Sequence, residues 1–275
     1  MRATLIAVVC FLAGGSAASA QGVLVAPHAV IIDHRARSTA LTLYNPGAEP
    51  AEIAISLFFG YPVTDSTGEL ELVTPEGRDP QSATGWIEAY PRRMVIGPLE
   101  RQTVRLLARP PGRLADGEYW SRIMIAAKGG AVPVTLPDSA PPGIAVGLNL
   151  EVRTIIPLQY RVGTARTGLA LDPPRVARDG DSLVVRARMT REGNAAFLGT
   201  VRGNLTDAAD RVVASFTVPI AVYRTIDPRF TLASAGLAPG RYRLNLSVIA
   251  ERADLPPEQV LRAAPASATV ELTLP

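Results

Sequence analysis

The amino-acid sequence predicts an all-β protein in which two β-sandwich domains follow an N-terminal export signal. Three observations support this fold class. Beyond Gly22 the apolar clusters are short, rich in Val, Ile, Leu and Thr, and end at Gly, Pro, Asn or Asp within about ten residues. No segment shows a sustained helical period. The 275 residues also suffice for two domains of ordinary size after a signal is removed.

The first twenty residues have the features of a secretory signal. Arg2 supplies a positive start, residues 4–13 form an apolar core, and Ala18-Ser19-Ala20 is an A-x-A cleavage site. The core is shorter than the roughly 20 residues that span a bilayer, which favours cleavage after Ala20 over a membrane anchor. Cys10 is the only cysteine and lies inside this core. We therefore expect an exported mature chain that begins at Gln21 and has no thiol or disulfide.

The first domain is predicted over residues 21–162, where the strands form one Ig-like unit. Turn sequences at 45–47, 66–68 and 115–117 separate several of these strands. The predicted strands are 23–33, 39–44, 52–58, 69–73, 85–88, 93–96, 102–107, 117–126 and 144–160.

The last predicted strand of this domain, residues 144–160, is the most informative segment. Its apolar residues alternate strictly with small or polar ones, which indicates a strand with one apolar face. The alternating residues are Ile144, Val146, Leu148, Leu150 and Val152. The Gly- and Pro-rich stretch 128–143 before it predicts a mobile loop. Two interpretations stay open: an ordinary inward-facing strand, or an edge strand that completes the sheet of another protein.

The second domain is predicted over residues 163–275 as a smaller Ig-like β-sandwich. A boundary is expected at 161–168, and turn sequences follow at 178–181, 192–194, 207–210 and 238–240. Its last predicted strand is 267–274. The two halves share no visible sequence repeat, so any similarity between them is one of architecture.

Few residues of this chain could take part in catalysis or bind a metal ion. The formal net charge of +3 comes from arginines spread along the chain, which is not typical of nucleic-acid binding. The only histidines, His28 and His34, would lie about 20 Å apart on an extended strand, too far for one metal ion. No phosphate-binding loop or G-x-S-x-G motif occurs. We therefore expect no enzyme activity, no metal, no cofactor and no small-molecule substrate.

Several segments together resemble the PapD-like periplasmic pilus chaperones, which are two-domain Ig-like proteins. His28 and Pro157 stand near positions where the family usually has basic residues, which indicates a divergent branch of that family. The long alternating strand 144–160 falls where the donor strand of the family lies. The second domain is similar only through G-R-Y-R-L-N-L-S-V (240–248). The segments of the first domain that carry the resemblance are V-L-V-A-P-H-A-V-I-I-D (23–33), L-T-L-Y-N-P-G (41–47), Y-P-R-R-M-V-I-G-P-L-E-R-Q-T-V-R-L (90–106) and L-A-D-G-E-Y-W-S-R-I-M-I (114–125).

The resemblance implies a chaperone that caps pilus or fimbrial subunits by donor-strand complementation and delivers them to an outer-membrane usher. The implied client-binding residues are Ile144, Val146, Leu148, Leu150 and Val152. The family also clamps the client's C-terminal carboxylate with two basic residues, but here His28 and Pro157 stand near those positions. The candidate clamp residues are therefore His28, Arg153 and Arg161, because a guanidinium can hold a carboxylate bidentately. His28 as a half-buried strand residue without this role is the other interpretation.

Two other functions are compatible with the sequence. A secreted Ig-like structural or adhesive protein would share the architecture without having a client. A β-sandwich enzyme acting on carbohydrate would need a carboxylate pair such as Glu69 and Glu71, but these are predicted to be solvated charges. Trp86 and Trp120 are predicted to be core residues rather than a sugar-stacking pair.

Overall fold

The computed structural model describes residues 22–129 and 150–275, and these residues form an almost purely β structure. The only helical segments in this part of the chain are two 3-10 turns, Thr84–Trp86 and Pro257–Gln259. No helix within the described residues is long and apolar enough to cross a membrane. The predicted all-β fold class is confirmed.

The first sandwich consists of two facing sheets and a separate hairpin. One sheet has the strand order β1-β3-β9-β7, and the other has the order β2-β11-β10-β4-β8. The hairpin is formed by β5 and β6. The strands are β1 (Leu24–Ala26), β2 (Val30–Asp33), β3 (Ser38–Tyr44), β4 (Ala51–Phe58), β5 (Tyr61–Thr64), β6 (Leu70–Val73), β7 (Ile87–Tyr90), β8 (Arg93–Ile96), β9 (Arg101–Ala108), β10 (Gly117–Lys128) and β11 (Glu151–Val162).

The core of this sandwich follows from the period-2 alternation of its strands. In β4, the sequence A-E-I-A-I-S places Ala51, Ile53 and Ile55 inside and the residues between them outside. The same alternation in β3 and β9 buries Leu41 and Val104, so both sheets present one apolar face to the other. The core cluster contains buried residues from Val23 to Val162.

The first predicted strand, 23–33, is wrong as a single element. The chain bends at residues 27–29, so that β1 pairs with β3 in one sheet and β2 pairs with β11 in the other. Pro27 lies in this bend and has no N–H to continue a ladder. His28 is consequently an exposed bend residue, and its interpretation as a half-buried strand residue is also wrong. The apolar pattern continues across the bend because both halves face the same core.

The second sandwich packs a four-stranded sheet, β17-β16-β20-β21, against two three-stranded sheets, β12-β15-β18 and β13-β14-β19. Its core cluster runs from Leu169 to Leu274, whereas the first core ends at Val162. The domain division at 162/163 stays a prediction. The strands are β12 (Thr167–Leu171), β13 (Arg175–Asp179), β14 (Ser182–Arg186), β15 (Met189–Gly193), β16 (Phe197–Thr206), β17 (Val212–Val222), β18 (Thr225–Ile226), β19 (Arg229–Ala233), β20 (Gly240–Ile249) and β21 (Ala266–Leu274).

Candidate functional site

Strand β11 has one half that is paired on both sides and one half that is paired on one side. Residues 158–161 lie between β10 and a parallel β2. Residues 151–157 pair with β10 alone, and no other described strand pairs with their second edge. Pro157 is the last residue of this half. It has no N–H to donate to a neighbouring strand, and prolines are common at such edge positions. Residues 151–157 are called the open half of β11 below, and residues 158–162 the closed half.

The inner face of β11 runs from the core of the first sandwich out to solvent. Leu158 is completely buried and Ile156 is 4% exposed, whereas Val152 is 36% and Leu150 is 43% exposed. All four have the same parity, so they belong to one row of side chains. The row therefore presents apolar surface beside backbone groups that are not paired by any strand of the described residues. Of the predicted client-binding residues, Leu150 and Val152 belong to this row, and Ile144, Val146 and Leu148 lie outside the described residues, as does most of the predicted loop 128–143.

The outer face of β11 borders a cleft of about 340 Å³ between the two sandwiches. Ile155, 43% exposed, and Leu72, 40% exposed, lie on its walls. Leu198 and Leu255 of the second domain also line it. Most of the lining residues are apolar, and the polar residues among them include Arg122 and Gln159.

Arg122 of β10 lines this cleft and carries a buried hydrogen-bond donor that no described residue accepts. It lies directly opposite Pro157 in the β10–β11 register and is only 7% exposed. Its Nε donates to the Gly60 carbonyl at 2.8 Å, and its guanidinium lies 4.7 Å from the centre of the Tyr223 ring. Its buried Nη2 has no hydrogen-bond partner in the part of the chain that the structure describes. A buried cation with a free donor favours binding of an anionic acceptor, because the donor otherwise loses its hydrogen bonds to water.

Gln159 supplies a complementary acceptor in the same cleft. It is 2% exposed, and its Nε2 makes a long contact of 3.5 Å with the Tyr223 hydroxyl. Its Oε1 is buried and accepts no hydrogen bond from any described residue. The cleft therefore offers one unpaired donor on Arg122 and one unpaired acceptor on Gln159. A terminal carboxylate together with a backbone N–H would satisfy both.

The structure places the three candidate clamp residues in different surroundings. His28 lines the cleft that contains Arg122. Arg161 and Arg153 do not line it. Arg161 donates to Glu118 at 3.0 Å, and exposed Arg153 donates to Glu151 at 2.5 Å. Arg122 was not among the predicted site residues, because only the pairing of β10 with β11 places this arginine beside Pro157.

A buried polar network holds the two sandwiches together next to the cleft. Glu118 is 1% exposed and accepts hydrogen bonds from Trp120 Nε1 at 2.9 Å, Arg161 Nε at 3.0 Å and the Ala196 backbone N–H at 3.2 Å. Burial raises the pKa of the Glu118 carboxyl above its usual range, and the positive charge of Arg161 opposes that rise. The carboxylate thus joins β10 and β11 to the second domain.

Trp120 is completely buried, as expected, but it belongs to a cluster between the domains rather than to the first core. Its ring centre lies 4.8 Å from that of Tyr223 and 6.4 Å from that of Tyr61, both edge-to-face. Trp86 is half-buried against the first core. In residues 22–129 and 150–275, no group of three or more His, Cys, Asp or Glu side chains is placed to hold a metal ion.

No protein-family model and no curated protein matches this sequence. Solved structures with a similar arrangement include the CsuC-CsuE chaperone-tip adhesion subunit pre-assembly complex from archaic chaperone-usher Csu pili of Acinetobacter baumannii. The identity is 13%, the TM-score is 0.46, and the match covers 90% of this chain and 98% of that one. The YadV chaperone is 17% identical with a TM-score of 0.43, covering 92% and 99% of the two chains. The Salmonella enterica SafA pilin in complex with the SafB chaperone gives 15% identity, a TM-score of 0.42, and coverage of 90% and 96%.

Proposed function

We propose that this chain is a periplasmic, non-enzymatic chaperone that binds pilus- or fimbria-type subunits by strand addition and delivers them to an outer-membrane usher. The observation that carries the proposal is the open half of β11. Among residues 22–129 and 150–275, no strand pairs with one edge of this half, and the row ending in Val152 and Leu150 continues the core of the first sandwich into solvent. A subunit with an incomplete sheet would gain both main-chain hydrogen bonds and an apolar row from this strand.

The expected energetics suit a chaperone that must release its client without a nucleotide. Each large apolar side chain buried in a client groove contributes roughly 1.5 to 3 kcal/mol. Each main-chain hydrogen bond adds about 0.5 to 1.5 kcal/mol net. Association itself costs an estimated 4 to 15 kcal/mol, so a handful of such contacts gives a complex that holds its client and still exchanges it.

We also propose that Arg122 and Gln159 hold the C-terminus of the client. The free Nη2 of Arg122 would donate to the terminal carboxylate, and Oε1 of Gln159 would accept the N–H of the last residue. Both side chains are on the outer face of the first domain's second sheet, in or directly opposite β11. A client lying along the open half of β11 would therefore reach them with its final residues. In this proposal Arg122, rather than His28, Arg153 or Arg161, is the main residue that binds the client's terminal carboxylate. His28 lines the same cleft.

The test is a pull-down from periplasm with the wild-type chain, Leu150→Glu and Leu24→Glu, followed by mass spectrometry. Leu24 is 61% exposed on β1 of the opposite sheet, so its variant is a matched control for adding a charge to exposed strand surface. We expect a small β-rich partner with wild type and Leu24→Glu that is lost with Leu150→Glu. Capture of the same partner by Leu150→Glu would contradict strand addition. Absence of any partner in all three samples would favour a structural or adhesive protein without a client.

A further inference from the structure

The β5–β6 hairpin, residues 60–73, connects the cleft to the second domain. At its base, the Gly60 carbonyl accepts the hydrogen bond from Arg122 Nε at 2.8 Å. A Cβ at Gly60 would lie 2.9 Å from the Val73 carbonyl oxygen, so the two ends of the hairpin approach as closely as they do only because residue 60 is glycine. The start of this hairpin thus accepts a hydrogen bond that orients the Arg122 guanidinium.

The tip of the hairpin is bound to the second domain by three hydrogen bonds. The Arg229 N–H donates to the Gly68 carbonyl at 2.9 Å, and the Asp227 N–H donates to Thr64 Oγ1 at 2.8 Å. Arg186 Nη1 donates to the Ser66 carbonyl at 2.8 Å. Hydrogen bonds to backbone groups fix position more strictly than apolar contacts do, because they depend on direction as well as distance. These three bonds fix the hairpin tip to the second domain.

Between base and tip, the hairpin contributes to both the domain interface and the cleft wall. The Arg224 guanidinium lies 4.6 Å from the centre of the Tyr61 ring, and Tyr61 packs against Trp120. Pro62 and Leu72 line the cleft together with Arg122. A shift of the second domain would consequently move a wall of the cleft and the carbonyl that orients Arg122 at the same time.

We infer that the β5–β6 hairpin is a positioning element that holds the Arg122 guanidinium and the second domain in the geometry needed to bind a chain terminus. This inference rests on the proposed C-terminal anchor, and it assigns the positioning to residues remote from the bound terminus. The hydrogen bonds described for Thr64, Gly68, Arg186 and Asp227 reach neither Arg122 nor β11. Their role is to fix the hairpin, and through it the orientation of the anchor.

Two glycines of this region allow a matched test. Gly68 and Gly77 both have positive φ, +91° and +83°, so an alanine is strained to a similar degree at either position. A Cβ at Gly68 would lie 2.9 Å from Cβ of Arg229, whereas a Cβ at Gly77 would meet nothing within 4 Å. Gly68→Ala should therefore push the hairpin tip off the second domain, and Gly77→Ala should not. Thr64→Val is a milder second variant, which removes only the acceptor for the Asp227 N–H.

The probe is the peptide acetyl-Thr-Val-Thr-Val-Thr-Val with a free C-terminal carboxylate, compared with the same peptide as a C-terminal amide. Wild type and Gly77→Ala should bind the carboxylate form tighter by roughly tenfold or more, as a charge-assisted hydrogen bond predicts. Gly68→Ala should bind both forms with equal affinity, and Thr64→Val should lose part of the preference. An undiminished carboxylate preference in both Gly68→Ala and Thr64→Val would overturn the inference.

An interdomain distance measurement separates this inference from the anchor itself. Spin labels at Thr103→Cys and Glu271→Cys, two exposed strand positions in different domains, can be placed in the chain from Gln21 onward, which contains no other cysteine. We expect one narrow distance in wild type and Gly77→Ala, and a broad distribution in Gly68→Ala. A wild type that binds both peptides equally would refute the anchor, and a narrow distance in Gly68→Ala would refute the positioning role of the hairpin.

Discussion

The closed and open halves of β11 have the same alternating pattern but different surroundings. In the closed half, Leu158 and Tyr160 are completely buried, and the backbone is paired to β10 and β2. In the open half, Val152 and Ile155 are 36% and 43% exposed, and β10 is the one neighbour among the described strands. The difference comes from β2, which is four residues long because the chain bends at residues 27–29. The length of a neighbouring strand, rather than the pattern of β11 itself, thus decides how much edge is free.

Two arginines on the outer face of the same strand also differ in their burial and in their partners. Arg161 of the closed half is 13% exposed and pairs with a carboxylate of zero exposure, Glu118. Arg153 of the open half is 62% exposed and pairs with Glu151. We expect Arg161→Met to destabilise the protein by about 3 to 5 kcal/mol, because Glu118 would stay buried but lose the positive charge that is hydrogen-bonded to it. Arg153→Met should leave stability nearly unchanged, since exposed pairs are screened by water.

Urea denaturation of both variants checks this prediction. Similar losses from Arg161→Met and Arg153→Met would contradict the view that the closed half carries the stability of this strand.

The next largest effect is expected from the inner row of β11. Leu158→Ala should cost about 2 to 5 kcal/mol of unfolding free energy, because it leaves a cavity in a closely packed core. Leu150→Ala should cost little stability, since its side chain is 43% exposed, but it should weaken capture of the client. Unfolding curves and pull-downs of the two variants separate the effects. A Leu158→Ala variant of native stability, or a Leu150→Ala variant with native stability and undiminished capture, would contradict the division into two halves.

The smallest effects are the pH dependences of the two carboxyls that face these arginines. Burial raises the pKa of Glu118, so the folded state binds this proton more tightly than the unfolded state. As pH falls from neutral through the raised pKa toward the ordinary value of 4.5, wild type should gain stability relative to Glu118→Gln. The hydrogen bond from Arg153 lowers the pKa of Glu151, so its contribution is present above 4.5 and is lost as pH falls through the lowered pKa.

Unfolding free energies of wild type, Glu118→Gln and Glu151→Gln across this pH range test the two opposite slopes. A slope for Glu118 of the same sign as that for Glu151 would show that Arg161 outweighs burial in setting the pKa of Glu118.

Much of the fold was predictable from period-2 alternation. Predicted strands 52–58, 102–107 and 117–126 agree with β4, β9 and β10 to within two residues, because their inner and outer residues differ clearly in polarity. The break at 27–29 was not predictable, since the apolar pattern runs through it while the chain changes sheets. Strand β5 was missed because it contains Pro62 and pairs only with β6.

The candidate site was only partly predictable. Alternation identifies Leu150 and Val152 as members of one apolar row, but it does not show which part of β11 lacks a neighbour. Arg122 could not be found from the sequence alone, since its position opposite Pro157 depends on how β10 and β11 are aligned. The contacts of the β5–β6 hairpin with Asp227 and Arg229 join distant parts of the chain for which no local pattern exists.

Amide hydrogen exchange of β11, measured with and without the captured partner, tests the central claim most directly. Strand addition requires that amides of residues 151–156 whose N–H points away from β10 become protected in the complex, while amides of 158–162 are protected in both states. Protection confined to the open half is the result we expect. Unchanged exchange in residues 151–156 on binding would contradict a strand-donating chaperone.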